Sequence, residues 1–266
     1  MSHATAAPIL SAPIEVGGDW GGAEHADVIA VLDRARSACL SDVTLVSDRQ
    51  PERLLIEDRN DGGKTPPSIW LHTDKPDTAW IIVDVGALDW SRLAYQFGHE
   101  LGHVLANSWQ LGSESRTPCQ WVEEMLVESF CLRGLKALAE SWAQAPPFPD
   151  DARFGQTIRD YRDRQLEQYR GPRGRARPVG ERWFAENRAG LEAQAGLAGP
   201  ATEAVPTLVE AFEQAPALIG DLGALNRWPQ RTGADLSDYL GLWEQSCRQL
   251  GTEGALPARI RAMVGL

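Results

Sequence analysis

The segment Trp90–Trp109, WSRLAYQFGHELGHVLANSW, lies where the chain changes from short strand-like runs to long helical patterns. Its apolar residues recur every three to four positions, which predicts one helix over about Ser91–Trp109. Within that helix His99 and His103 are one turn apart, and Glu100 follows the first histidine directly. Because positions i and i+4 share one face of a helix, both imidazoles could bind the same metal ion. The segment therefore predicts a metal site on a helix.

The sequence before this helix indicates one helix and a small sheet. A helical pattern covers Ala23–Leu40. Short β-rich runs follow it, separated by turns that are rich in Gly, Pro and Asp. These runs are Val43–Val46, Leu54–Glu57, Ser68–His72 and Ala79–Val85. Together they predict a small mixed or antiparallel sheet.

The sequence after this helix has helical patterns almost to its end. A long helix is predicted over about Pro118–Trp142. The later helical segments are Gln156–Tyr169, Arg182–Ala195, Thr202–Leu218, Leu236–Leu250 and Pro257–Val264. Strands followed by helices, without alternation, indicate the α+β class. We therefore predict a strand-rich N-terminal lobe over residues 1–90 and a helical lobe over residues 91–266, which together form one functional unit.

The long helix after the histidines brings carboxylates to the same site. In the segment Trp121–Glu128, Glu124 and Glu128 are one helical turn apart and lie among apolar residues. A carboxylate buried in such surroundings without a partner is costly. A metal ion and a histidine partner would account for both carboxylates.

The two segments His99–His103 and Trp121–Glu128 together resemble the signature of the gluzincin zinc metallopeptidases, which include the thermolysin-like proteases and a group of aminopeptidases. In that clan an H-E-x-x-H helix is followed roughly twenty residues later by a helix with a glutamate ligand. The strand Ala79–Val85 would correspond to the edge strand that holds substrate. The resemblance implies a zincin-like fold, a bound Zn²⁺ and hydrolysis of a peptide or protein substrate.

The resemblance also implies a role for each residue. His99 and His103 would bind the zinc ion, and Glu124 would be the third protein ligand. Glu100 would be the general base that takes a proton from water and returns it to the departing amine. Glu128 would accept a hydrogen bond from one imidazole and orient it.

Two alternatives concern the ligands. Glu123 competes for the role of third ligand, because it stands at the spacing that thermolysin-like enzymes favour; we prefer Glu124, because only it has a carboxylate four residues later, at Glu128. The metzincin pattern H-E-x-x-H-x-x-G-x-x-H would require glycine and histidine where this chain has Ala106 and Trp109. A metzincin is therefore disfavoured.

Two features of the clan's enzymes have no counterpart in the sequence. No histidine follows His103, so a tyrosine such as Tyr161, Tyr169 or Tyr239 would have to stabilise negative charge on the substrate oxygen. The motif G-x-M-E-N, which binds the free amine of a substrate in the aminopeptidases, is also missing. The choice between endopeptidase and exopeptidase, and the cleavage specificity, are left open.

Composition bears on other classes of protein. With 266 residues, 43% of them hydrophobic, the chain is long enough to bury a substantial core. Its net charge of -11 argues against a main role in binding nucleic acid or an anionic membrane. The four cysteines form no C-x-x-C pair, and no apolar run approaches the roughly 20 residues that span a bilayer. We expect a cytoplasmic protein with reduced cysteines; the sequence does not indicate its oligomeric state.

One basic segment stands out in this acidic chain. It covers Arg170–Pro178, with the sequence RGPRGRARP. Its glycines and prolines favour a solvated loop. The alternative is that its arginines contact an anionic partner or a substrate carboxylate.

Three functional hypotheses remain from the sequence. The leading one is a zinc metallopeptidase, because two predicted helices supply a plausible ligand set. The second is a non-catalytic binding or regulatory protein of zincin fold with a retained metal site, since the downstream histidine and the amine-binding motif are missing. The third is that the short H-E-x-x-H pattern arose by chance in a helical domain and binds no metal.

Overall fold

The computed structural model describes residues 8–59, 61, 64–85, 89–148, 151–170 and 179–266. The strands and one helix come first: β1 (Ile14–Gly18), α1 (His25–Cys39), β2 (Arg53–Asp58), β3 (Ser68–Trp70) and β4 (Thr78–Val83). The helices that follow are α2 (Trp90–Leu105), α3 (Gln120–Gln144), α4 (Phe154–Arg170), α5 (Glu181–Ala193), α6 (Pro200–Gln214), α7 (Leu236–Leu250) and α8 (Ala255–Val264). Short 3₁₀ helices cover Pro8–Leu10 and Pro216–Ala224. This mixture of helices with one small sheet agrees with the predicted α+β class.

The four strands form one mixed sheet in the order β1-β2-β4-β3. The first three run parallel, so that Ile56 of β2 pairs with Val16 on one side and with Ile81 on the other. β3 runs antiparallel to β4, with Ile69 opposite Ile81, and forms one edge of the sheet. The mixed arrangement was one of the two predicted from the sequence.

The strand expected at the edge of the sheet is an inner strand. The residues predicted as Ala79–Val85 form β4, which lies between β2 and β3. Ala79, Ile81 and Val83 are buried in the core, as expected of an inner strand that helices cover. The edge position belongs to β3, whose side chains are only partly buried.

One strand prediction was wrong, and one strand was missed. Val43–Val46, which the structure describes in full, forms no strand. This segment lies against the 3₁₀ helix, and the backbone N–H of Val46 donates to the carbonyl of Gly220 at 3.2 Å. β1 was missed because it is short and ends in two glycines, and its pairing with β2 defines it more clearly than its sequence does.

The helices α2 and α3 cross each other at a short distance. Asp89 caps the start of α2 by accepting a hydrogen bond from the backbone N–H of Arg92 at 3.1 Å. Gly102 lies at the crossing: a Cβ added there would come 2.7 Å from the Cβ of Val127 on α3. The missing side chain therefore lets the facing sides of the two helices approach closely.

The remaining helices pack around this pair. α1 packs against both α2 and α3, and α3 also packs against α4 and α6. One apolar core takes residues from the sheet and from the helices. Among helices in the described ranges, none is long and apolar enough to cross a membrane.

Candidate metal centre

Three side chains on the facing sides of α2 and α3 converge on one point. His99 and His103 come from α2 and Glu124 from α3, and one possible ligand atom from each lies within 4.8 Å of the others. Nε2 of His99 is 3.5 Å from Oε2 of Glu124, and Nε2 of His103 is 3.7 Å from the same oxygen. Ligands at about 2.0–2.2 Å from a tetrahedral zinc ion lie roughly 3.3–3.6 Å from one another. The two distances from the imidazole nitrogens to Glu124 are thus close to the spacing of ligands around a zinc ion.

The other nitrogen of each imidazole is bound to a carboxylate. Nδ1 of His99 lies 2.9 Å from Oε2 of Glu128, and Nδ1 of His103 lies 2.6 Å from Oε1 of Glu123. A proton donated from Nδ1 to a carboxylate fixes the ring and leaves the lone pair of Nε2 for a metal ion. Both histidines therefore have the partner that metal-binding histidines usually have.

Glu123, the alternative third ligand, lies away from the point of convergence. Its side chain is fully buried behind His103. Its carboxylate also accepts hydrogen bonds from Oγ of Ser108 at 2.6 Å and from the side-chain amide of Asn226. Glu123 thus supports an imidazole, whereas Glu124 faces the Nε2 atoms.

Glu128 has a similar buried position behind His99. Besides the imidazole, it accepts hydrogen bonds from the phenols of Tyr95, on α2, and Tyr169, on α4, at 3.0 and 2.9 Å to Oε1. Both tyrosines line the cavity described below. The other two tyrosines suggested by the sequence lie elsewhere: Tyr161 packs against the ring of Tyr95 at 5.5 Å, and Tyr239 is buried beside Glu123.

The carboxylates around the two histidines favour positive charge on the imidazoles. Burial alone would lower the pKa of His99, but its hydrogen bonds to Glu124 and Glu128 raise that pKa to about 10. The pKa of His103 is also raised, because Glu124 and Glu123 outweigh its burial. Burial would raise the pKa of Glu124, but the two imidazoles hold it well below its usual range. The carboxylates therefore demand positive charge at this point, from two protons or from a metal ion.

Glu100 differs from the other acidic residues of the site in its contacts within the part of the chain that the structure describes. It is only 4% exposed. It forms no hydrogen bond or ion pair with another residue in the described ranges. Burial raises the pKa of its carboxyl group, an effect that His103 and His99 oppose. Glu100 nevertheless lines the cavity, so its carboxylate can meet a molecule that enters there.

The cavity beside these residues has a volume of about 560 Å³. The edge strand β3 and its neighbours contribute Pro67, Ser68, Ile69 and Leu71 to one wall. The helices contribute the donor residues, Glu100 and the two tyrosines. The cluster of histidines and carboxylates is therefore open to small molecules or to a peptide segment.

Some partners in this site were not foreseen from the sequence. Tyr95 stands four residues before His99, so its place on the same helix face could have revealed it. Ser108 and Asn226 have no local pattern that marks them.

Of the basic segment Arg170–Pro178, residues 171–178 lie outside the described residues, and Arg170 lies 3.9 Å from Glu167 in an ion pair at the end of α4.

The arrangement combines a possible metal-binding cluster, an unpaired carboxylate and an open cavity. Such a combination can polarise a bound group and move a proton next to it.

No protein-family model, no curated protein and no solved structure matches this chain.

Proposed function

We propose that this protein is a zinc-dependent peptidase of gluzincin type with a zincin-like fold. One observation carries this proposal. Nε2 of His99, Nε2 of His103 and an oxygen of Glu124 converge beside a cavity in which Glu100 is unpaired. This is the set of groups that hydrolysis with a metal-activated water requires.

The donor set suits zinc. Two imidazole nitrogens and one carboxylate oxygen form a set of three protein ligands, which is typical of catalytic zinc sites with a fourth position for water or substrate. The cavity provides space on that side. When bound, zinc supplies Lewis-acid chemistry: it lowers the pKa of water and polarises a carbonyl group.

Glu100 is the residue that moves the proton. Its buried carboxylate, with a raised pKa, accepts a proton from the attacking water more readily than an exposed glutamate would. The oxygen of that water forms a bond with the carbonyl carbon of the substrate. Glu100 then gives the proton to the amide nitrogen as the C–N bond breaks, so that an acid and an amine leave the site.

Tyr169 is suited to stabilise negative charge on the substrate oxygen. Burial and then the Glu128 carboxylate raise the pKa of its phenol well above the usual value, so that the hydroxyl keeps its proton as a donor. Its hydroxyl makes a single contact with Glu128, while Tyr95 contacts both oxygens of that carboxylate. Tyr169 can therefore turn to a substrate while Tyr95 continues to hold Glu128.

The edge strand favours a peptide as substrate. β3 is the last strand on its side of the sheet, so within the described ranges its outer backbone groups have no partner strand. Ser68, Ile69 and Leu71, on or next to β3, line the cavity. An extended peptide could add to this edge and present its backbone carbonyl to the cluster.

The variant Glu100→Gln tests this function. The amide has the same size and leaves the metal donors in place, but it cannot take up the proton. We expect the wild-type protein to carry about one zinc ion per chain and to cut members of a mixed peptide library, followed by mass spectrometry. The variant should keep its zinc and cleave about 100- to 10,000-fold more slowly.

The outcomes separate the three hypotheses. Undiminished cleavage by Glu100→Gln would refute the mechanism. A wild-type protein that binds zinc and cuts no peptide would favour the non-catalytic binding protein. If both wild type and His99→Ala bind no zinc, the motif is accidental.

A further inference from the structure

We infer that Asn226, far along the chain from both metal-binding helices, is a positioning residue of the metal centre and acts on His103 through Glu123. The inference rests on the proposed metal site. It begins with the state of Glu123, a carboxylate with no exposed surface. A buried carboxylate is stable only when donors surround it, and the placement of those donors decides where its oxygens lie.

Three donors surround Glu123. Nδ1 of His103 and Oγ of Ser108 each lie 2.6 Å from Oε1. The amide nitrogen of Asn226 is the donor to the other oxygen, Oε2, and it also lies 3.2 Å from Oγ of Ser108. Asn226 therefore holds one oxygen of the carboxylate while the imidazole is bound to the other.

The position of Asn226 is itself fixed from several sides. Its backbone is in the left-handed region, with φ at 43°, where asparagine is tolerated better than most residues. The carbonyl just before it, on Leu225, accepts a hydrogen bond of 2.6 Å from the side chain of Asn107, two residues after the end of α2. Arg227, just after it, forms a two-point ion pair with Asp48. The amide thus has little freedom to follow Glu123 if Glu123 moves.

The two imidazoles are supported differently. Glu128, behind His99, receives its hydrogen bonds from tyrosines on α2 and α4. Glu123, behind His103, depends on a residue that follows it by 103 positions. The orientation of His99 is therefore set by α2, α3 and α4, whereas that of His103 depends on α3, on Ser108 and also on the segment between α6 and α7.

Two substitutions test this role in the full-length protein. Asn226→Gly removes the amide and suits the left-handed backbone. Asn226→Asp keeps the shape and places a carboxylate against Glu123, which should turn Glu123 away from His103. Zinc affinity is measured by competition with a chelator, and ligand geometry by the visible spectrum of the cobalt-substituted protein.

We expect Asn226→Gly to bind zinc about 10- to 100-fold more weakly, as is usual when a group behind a metal ligand is lost. Asn226→Asp should lose more zinc affinity than Asn226→Gly, and both variants should have a changed cobalt spectrum. Asp48→Asn is the matched control, because it weakens the attachment of the same segment without touching Glu123. Because the hydrogen bond from Asn107 to the carbonyl of Leu225 remains, its zinc affinity should fall less than that of Asn226→Gly, and its cobalt spectrum should keep the wild-type form.

Three results would count against this role. Wild-type affinity and spectrum in both Asn226 variants would overturn it. An equal loss of zinc affinity in Asp48→Asn would also overturn it. That result would mean that zinc affinity depends on how firmly the segment is attached and not on the hydrogen bond from Asn226 to Glu123. A wild-type protein that binds no zinc would overturn the proposed metal site as well, whereas the first two results leave that site intact.

Discussion

At the scale of single residues, Tyr169 is the side chain whose removal separates catalysis from metal binding most cleanly. Its hydroxyl donates a hydrogen bond to Glu128 and also pairs with the hydroxyl of Tyr95, and Glu128 keeps Tyr95 and His99 as partners when the hydroxyl of Tyr169 is lost. The phenol is therefore dispensable for holding the imidazole. Tyr169 also lines the cavity, where its hydroxyl can face a substrate.

We predict that Tyr169→Phe lowers kcat about 100-fold, as expected for the loss of one donor to a developing negative charge. Zinc content and KM should change little. Tyr161→Phe is the control, because that hydroxyl is not among the described lining groups of the cavity. Steady-state kinetics on a peptide cut by the wild type provides the measurement, and an unchanged kcat in Tyr169→Phe would remove this residue from the mechanism.

The protons on the two imidazoles lead to a pH prediction. The neighbouring carboxylates raise the pKa of His99 to about 10 and also raise that of His103, so we expect both rings to carry a second proton at pH 7 when no metal is bound. Zinc can bind Nε2 only after that proton leaves. We expect about two protons to be released per zinc ion at pH 7, and apparent affinity to rise as pH increases towards 10.

Calorimetric titration with zinc in two buffers of different ionisation enthalpy measures this release. The slope of the observed heat against buffer enthalpy gives the number of protons. A slope near zero at pH 7 would contradict the raised pKa values of the two histidines.

Most of the candidate ligands could be predicted at this scale because their signal is local. His99, His103 and Glu124 are placed by helical spacing on two helices, and the structure brings them together as the spacing suggests. Glu123 could not be separated from Glu124 by spacing alone, because neighbouring residues on a helix point in directions about 100° apart and the rotation of α3 was unknown. Asn226 could not be predicted, because only the tertiary fold brings it to Glu123.

At the scale of elements, the crossing of α2 and α3 determines whether the donors can meet. Gly102→Ala should force the helices apart, because the new Cβ would overlap the Cβ of Val127 at 2.7 Å. We expect a loss of about 1–3 kcal/mol in the free energy of unfolding and weaker zinc binding. Denaturant titration and chelator competition measure the two effects.

Gly190→Ala on α5 is the matched control, since a Cβ there meets no atom within 4 Å. This change should stabilise the protein by about 0.5–1 kcal/mol, because alanine favours a helix. The double variant Gly102→Ala/Val127→Ala should recover part of the zinc affinity. If Gly102→Ala and Gly190→Ala have the same free energy of unfolding and the same zinc affinity, the close crossing of α2 and α3 does not determine either property.

Helices were predicted better than strands for a physical reason. A helix satisfies its backbone hydrogen bonds locally, and α7 has the predicted bounds Leu236–Leu250. A strand depends on partners elsewhere in the chain, so the position of β4 inside the sheet and of β3 at its edge was not visible in either segment. For the same reason Val43–Val46 had strand-like composition without a strand to pair with.

At the scale of the whole molecule, the candidate site depends on parts that lie far apart in the sequence. The donors come from α2 and α3, one phenol from α4, and the amide behind Glu123 from the segment between α6 and α7. One wall of the cavity comes from β3. The site therefore belongs to the complete fold and not to the two motif helices alone.

The distance of Asn226 from the motif helices has a consequence for biosynthesis. Translation proceeds at about 5–20 residues per second, so the 103 positions between Glu123 and Asn226 take roughly 5–20 s to synthesise. During that interval the growing polypeptide already contains His99, Glu100 and His103, but Glu123 lacks one of its three donors. For the proposed hydrolase, reaching full metal affinity only after this delay would limit cleavage of its own unfinished chain on the ribosome.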